Sequence, residues 1–150
     1  MSMEYPISAR GIIPHRRPMR LVDRVVKAGK DLSGTAEALI SRDNIFVDET
    51  GFLAPEAMIE LMAQAFAAVS GSIGMQKGTH SVTGYLVGVK RFEMSARARE
   101  DDNLVIEVRP TGEFAGFVII DALVRRQGQV LATGELKIWQ APGNDPEYDT

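Results

Sequence analysis

The sequence predicts an α+β domain in which a curved antiparallel sheet of about six strands wraps around one long buried helix. Three observations carry this. Residues 57–69 read Ala-Met-Ile-Glu-Leu-Met-Ala-Gln-Ala-Phe-Ala-Ala-Val, with only Glu60 and Gln64 polar, and a helix apolar on nearly all sides must be buried on nearly all sides. The other patterned segments are short, β-branched and punctuated by turn residues. One helix cannot cover both faces of a flat sheet, so the sheet must curve over it. With 150 residues, 45% hydrophobic and 25% charged, the chain is of a size to bury roughly 68–70% of its unfolded surface around a single core.

Taken in order, residues 20–28 suggest a strand ending at Gly29, and residues 32–40 a second strand. A loop runs from Ser41 to Ala54. Pro55 suits the first turn of a helix, Glu56 suits its positive end, and Gly71 is read as its stop. Strands are expected at 82–94, 104–109, 117–125 and 130–139, with Gln127-Gly128 as a hairpin turn. The domain spans 1–141. The acidic, breaker-rich residues 142–150 are read as a disordered tail. Such a sheet leaves an open edge, which a two-fold partner commonly covers.

Composition narrows the chemistry. The absence of cysteine excludes thiolate nucleophiles and Cys-based metal sites. Two histidines, His15 and His80, argue against a polyhistidine metal centre, and no cofactor is implied. A balance of 17 basic against 20 acidic residues, net −3, argues against nucleic-acid binding. No run approaches ~18 apolar residues, so no membrane span is expected. The opening Met1-Ser2-Met3-Glu4-Tyr5 lacks the basic start and apolar stretch of a secretory signal, and a cytoplasmic location follows as the expectation.

Glu60 is the most informative residue. Burial of a carboxyl in an apolar helix favours its protonated form, which can act as a general acid, and as a base after losing the proton. Its bland alternative is a buried carboxyl satisfied by a backbone donor or a partner subunit. Gln64, one turn on and on the same face, could orient a water or a substrate oxygen. His15 stands between Pro14 and Pro18 in a fixed, non-helical segment, and on pattern alone reads as a surface or capping histidine. His80 follows Lys77-Gly78-Thr79 and reads as an exposed loop residue. Arg16, Arg17, Arg20 and Arg24, and likewise Lys90, Arg91, Arg97 and Arg99, read either as a solvated surface or as docking for an acidic partner.

The segment from Ile13 to Val25, Ile-Pro-His-Arg-Arg-Pro-Met-Arg-Leu-Val-Asp-Arg-Val, resembles the opening of the bacterial 3-hydroxyacyl-acyl-carrier-protein dehydratases. The helix segment Met58-Ile59-Glu60-Leu61-Met62-Ala63-Gln64-Ala65 and the strand Tyr85-Leu86-Val87-Gly88-Val89 with Arg91-Phe92 are similar to further stretches of that family, in the same order. The resemblance runs from about Ile12 to Trp139. It implies a hotdog fold, an acyl thioester substrate on acyl carrier protein or coenzyme A, a role in fatty-acid or polyketide-like biosynthesis, and a homodimer or a heterodimer with a homologous hotdog subunit. In the family, a helix carboxylate protonates the departing hydroxyl, and a histidine from the facing subunit takes the proton beside the thioester.

Glu60 occupies the carboxylate position. The family histidine falls at Phe46, and no histidine stands anywhere from Asp43 to Ala54. The glycine whose N–H polarises the thioester carbonyl falls at Pro55, which has no N–H. Three readings follow. The first is a divergent dehydratase with Glu60 as acid and His15 as base, since the matching Pro-His segment of the family lies near the substrate tunnel. The second is an acyl-thioesterase in which Glu60, with Gln64, activates water, with the N–H of Glu56 or Ala57 facing the carbonyl. The third is a non-catalytic acyl binder, or an inactive subunit of a heterodimeric dehydratase. Gln64, Phe46, Phe52, Val87 and Gly88 are the candidate substrate contacts, and Arg16 and Arg17 the candidate carrier-docking residues.

Overall fold

The computed structural model describes residues 4–78 and 84–140. His80 and the expected tail at 142–150 lie outside the described residues. The elements in chain order are β1 (Ile7–Ser8), β2 (Arg24–Ala28), β3 (Gly34–Leu39), α1 (Pro55–Gln76), β4 (Gly84–Met94), β5 (Asn103–Phe114), β6 (Phe117–Arg126) and β7 (Gln129–Gln140). The strands form one sheet in the order β1-β2-β3-β5-β6-β7-β4, and every ladder is antiparallel. The expected hotdog architecture, one helix held in a curved antiparallel sheet, is what the chain adopts.

Period-two alternation explains the sheet's inner face. Leu104, Ile106 and Val108 on β5, Val118, Ile120, Ala122 and Val124 on β6, and Leu136 and Ile138 on β7 are all buried. They close on Leu61, Met62, Ala65, Phe66, Ala68 and Val69 of α1, in one continuous core. Its 22 residues and mean hydropathy of 1.3 give α1 the length and composition of a membrane span. Here the same features serve a core helix enclosed by sheet.

Three local expectations change. Residues 20–23 are not strand: the N–H groups of Leu21 and Val22 turn to the side chain of Gln64 instead of a ladder. The helix does not stop at Gly71 but continues to Gln76. A Cβ at Gly71 would lie 2.6 Å from Ile12 Cγ2, so this glycine lets the N-terminal segment press onto the helix rather than ending it. A seventh strand, the two-residue β1, pairs with β2 and is too short to carry a periodic signal. The Gln127-Gly128 turn is as expected, with φ of 50° and 85° at its two central residues, the left-handed pair of a type I′ hairpin.

The two sheet edges differ. The short β1 closes one side. The other edge is β4, 11 residues long, paired among the described residues only with β7 and carrying Tyr85, Leu86, Val87 and Val89 in exposed positions.

Candidate functional site

Gln64 organises the site. It is 1% exposed, and a buried carboxamide must satisfy two acceptor and two donor valences. Its Oε1 accepts the N–H groups of Leu21 at 2.8 Å and Val22 at 3.3 Å. Its Nε2 donates to the carbonyl of Met19 at 2.8 Å and to Glu60 Oε1 at 2.9 Å. One side chain therefore ties residues 19–22 to α1 and, in the same stroke, holds the Glu60 carboxylate one helical turn away. With all four valences used, Gln64 has none left to orient a water or a substrate oxygen.

The same anchoring brings His15 to α1. Its Nε2 lies 3.5 Å from Glu60 Oε1 within one chain. His15 Nδ1 is buried with no hydrogen-bond partner among the described residues. The side chains of His15 and Glu60 are 30% and 32% exposed, so Glu60 is not fully buried, as its apolar neighbours in sequence suggest. The reason is local: on the side of α1 facing β4, Ala63 and Ala67 leave room. A cleft of about 170 Å³ opens there, its lining including His15, Glu60, Gln64, Ala67 and the start of β4 at Tyr85 and Leu86.

The helix start does not line this cleft, whose α1 residues begin at Glu60. The N–H of Ala57 already donates to the carbonyl of Ala54 at 3.0 Å, and Pro55 has none to offer. The loop before the helix is likewise elsewhere. Phe46 packs against the core rather than in the cleft. Phe52 lies under two guanidinium groups, 5.1 Å from Arg97 and 5.4 Å from Arg99, where cation–π attraction holds it. Arg97 also reaches Asp48 at 3.2 Å. The Asp48 carboxyl is lowered to about 2 from an ordinary 3.8, first by the Thr50 hydroxyl and then by the N–H of Phe52, against a smaller opposing effect of desolvation.

Val87 and Gly88 sit on the β4 edge, one and two residues beyond the part of the strand that walls the cleft. Tyr85 and Leu86 are the residues missed at the sequence level; their place on the same apolar strand is the signal that could have named them. Arg17 pairs with Asp23 at 2.7 Å, and Arg16 is exposed beside it. The structure thus unites Glu60, His15 and Gln64. It separates them from Phe46 and Phe52.

The chain matches the family model described as ApeP-like, ApeP dehydratase, over residues 7–148. It is 29% identical over 132 residues to the 3-hydroxyacyl-[acyl-carrier-protein] dehydratase FabZ of Pseudothermotoga lettingae, covering 85% of this chain and 89% of that protein. Against FabZ of Thermotoga maritima the identity is 26% over 141 residues, covering 91% and 95%. Among solved structures it is similar to a chain of the dehydratase heterocomplex ApeI:P from Xenorhabdus doucetiae, with a TM-score of 0.84, 24% identity and 97% of each chain covered. A hypothetical thioesterase with coenzyme A from Streptococcus pneumoniae shares the fold at a TM-score of 0.63 and 13% identity, over 81% of this chain and 87% of that one. These structural likenesses establish the fold. The family match spans nearly the whole chain, from β1 past the end of β7, and by it this protein belongs to the ApeP-like dehydratase family.

Proposed function

We propose that this chain binds acyl thioesters in the cleft over Glu60 and works as one subunit of a paired hotdog dehydratase, with the second subunit closing the cleft along β4. The observation that carries this reading is the position of the cleft. One wall is the start of a long edge strand that pairs, among the described residues, with β7 alone and exposes Tyr85, Leu86 and Val87. An edge of that kind is a template for strand addition. The absence of a histidine from the loop at 43–54 supports the same reading, because the facing subunit would then supply what this loop lacks. The similarity to a chain of a dehydratase heterocomplex agrees with it.

A second reading has its own observation, the 3.5 Å approach of His15 Nε2 to Glu60 Oε1. In it the imidazole takes the proton from the carbon beside the thioester, the carbon–oxygen bond to the hydroxyl breaks as Glu60 protonates the leaving oxygen, and the enoyl double bond forms with loss of water. The imidazolium then returns its proton to the carboxylate across that same gap.

The two separate by one assay. The purified chain, alone and then co-produced with a hotdog dehydratase subunit of the same organism, is given a 3-hydroxyacyl thioester and enoyl product is followed. Product from the pair alone, lost with Glu60→Gln, is expected. Product from the single chain that needs both Glu60 and His15 would favour the second reading, and thiol release that needs Glu60 alone would point to hydrolysis. Val87→Lys places a charge on the β4 edge and is expected to weaken association of the subunits.

A further inference from the structure

The Glu60 carboxyl is met on one oxygen only. Gln64 Nε2 donates to Oε1 at 2.9 Å, and His15 Nε2 lies 3.5 Å from the same atom. Glu60 Oε2 has no hydrogen-bond or ion-pair partner among the described residues and stays open to the cleft that Glu60 lines.

The hydrogens of this arrangement follow by elimination. The Gln64 carboxamide cannot be turned over. Its Oε1 accepts the backbone N–H groups of Leu21 and Val22, and its Nε2 donates to the backbone carbonyl of Met19; backbone groups cannot exchange these roles. An N–H therefore points at Glu60 Oε1. In a protonated carboxyl the carbonyl oxygen is the one with two free lone pairs, so the oxygen that faces donors is the carbonyl and the proton sits on Oε2. The hydrogen between Oε1 and His15 must then come from the imidazole, on Nε2; otherwise two lone pairs face one another. A ring with its proton on Nε2 leaves Nδ1 a bare acceptor, and Nδ1 is the atom that is buried with no partner among the described residues. Service as a base asks the opposite. A ring that takes a proton at Nε2 also carries one on Nδ1, and a general-base histidine is oriented by an acceptor at that nitrogen. The 3.5 Å separation is long for a hydrogen bond, as catalytic contacts often are before substrate binds.

We propose that His15 is a positioning residue: it presents Nε2–H to Glu60 Oε1 beside Gln64 Nε2, so that Glu60 delivers its proton from Oε2. The inference rests on the paired-dehydratase reading, in which the base belongs to the second subunit. That base takes the proton from the carbon beside the thioester. The electron pair of the broken C–H bond becomes the enoyl double bond, and the bond to the hydroxyl oxygen breaks. The departing oxygen takes the proton of Glu60 Oε2 and leaves as water. The carboxylate left behind holds charge where two donors already point, and hydrogen bonds to an ionised acceptor are the stronger ones. Their help is larger after proton transfer than before it, which is what lowers a barrier. Glu60 Oε2 then regains a proton from solvent and the base gives one up, closing the cycle.

Two measurements test this. In the full, isotopically nitrogen-labelled chain at neutral pH, two-bond proton–nitrogen correlations of the imidazole rings report which nitrogen carries the proton, and His15→Ala tells the His15 signals from those of His80. A neutral ring protonated at Nε2 is expected; a ring protonated at Nδ1, or at both nitrogens, overturns the assignment. The second measurement follows turnover of a 3-hydroxyacyl thioester by the subunit pair. His15→Leu removes the donor and is expected to lower kcat about tenfold, with KM kept within about twofold. His15→Gln keeps an N–H donor in place of Nε2–H but cannot take up a proton, and is expected to return kcat to within about threefold of wild type. A Gln variant no better than the Leu variant overturns the proposal, and a loss of about a hundredfold or more in both marks a base. An undiminished kcat in His15→Leu overturns it as well. Circular dichroism melting checks folding; if His15→Leu does not fold, His15→Gln decides alone, kept turnover supporting the proposal and a hundredfold loss, the mark of a base, overturning it. If the wild-type pair forms no enoyl product, the dehydratase reading fails, and the ring signals alone uphold or overturn the His15 assignment.

Discussion

Two irregular segments flank the N-terminal half of α1, residues 9–23 and residues 44–54, and they dispose of their polar groups in opposite ways. The second segment is satisfied by its own side chains and by residues 97–100. Asp48 accepts from the Thr50 hydroxyl, from the N–H groups of Thr50 and Phe52, and from Arg97, while Phe52 is covered by Arg97 and Arg99. The first segment is held from outside, by Gln64, and keeps valences free: His15 Nδ1 and Arg20 Nε have no partners among the described residues. The loop in which the dehydratase resemblance looks for a histidine is thus a structural brace. The histidine that does approach Glu60 arrives on the other segment, because a buried carboxamide pulls that segment onto the helix.

The largest break in this comparison is expected from Gln64→Leu. It strands the buried N–H groups of Leu21 and Val22 and frees Glu60, so unfolding in urea should show a loss of about 3 kcal/mol, together with loss of acyl binding. Phe52→Ala should cost about 1–2 kcal/mol through lost cation–π contact and packing, with acyl-thioester affinity kept; a loss of affinity as large as that of Gln64→Leu would merge the two segments into one functional unit. Arg17→Ala removes a pair with 56% and 29% exposed side chains and should change stability by no more than about 1 kcal/mol. The smallest effect is confined to acid. Asp48 has a folded value lowered to about 2 from 3.8, so its stabilising contribution is present above the ordinary value and is lost as pH falls from about 4 towards 2. Asp48→Asn should flatten that part of the stability profile against pH.

Much of the fold was legible because it rests on periodicity. The apolar run at 57–69 states a buried helix and the alternation in 130–139 a half-buried strand, and burial obeys both except along the cleft side of α1 at Ile59, Glu60, Ala63 and Ala67. Gly71 misled because a glycine permits close approach as readily as it ends a helix, and only the position of Ile12 distinguishes the two. Glu60 was legible as a lone acid in an apolar helix. The bond from Gln64 to Leu21 spans 43 residues, and no local pattern announces such a tie. For the same reason the meeting of His15 with Glu60 followed from family likeness and then from geometry, not from spacing. The arginines of residues 10–20 were visible as charge, but the pairing of Arg17 with Asp23 depends on the fold.

The most direct test of the account is calorimetric titration of a hydrolysis-resistant acyl-pantetheine analogue into the wild-type chain and into Ala67→Phe, which fills the cleft beside Glu60 while the core side of α1 is untouched. Binding to the wild type that disappears in Ala67→Phe, with melting unchanged, is the predicted result. Absent binding, or binding indifferent to the filled cleft, would contradict it.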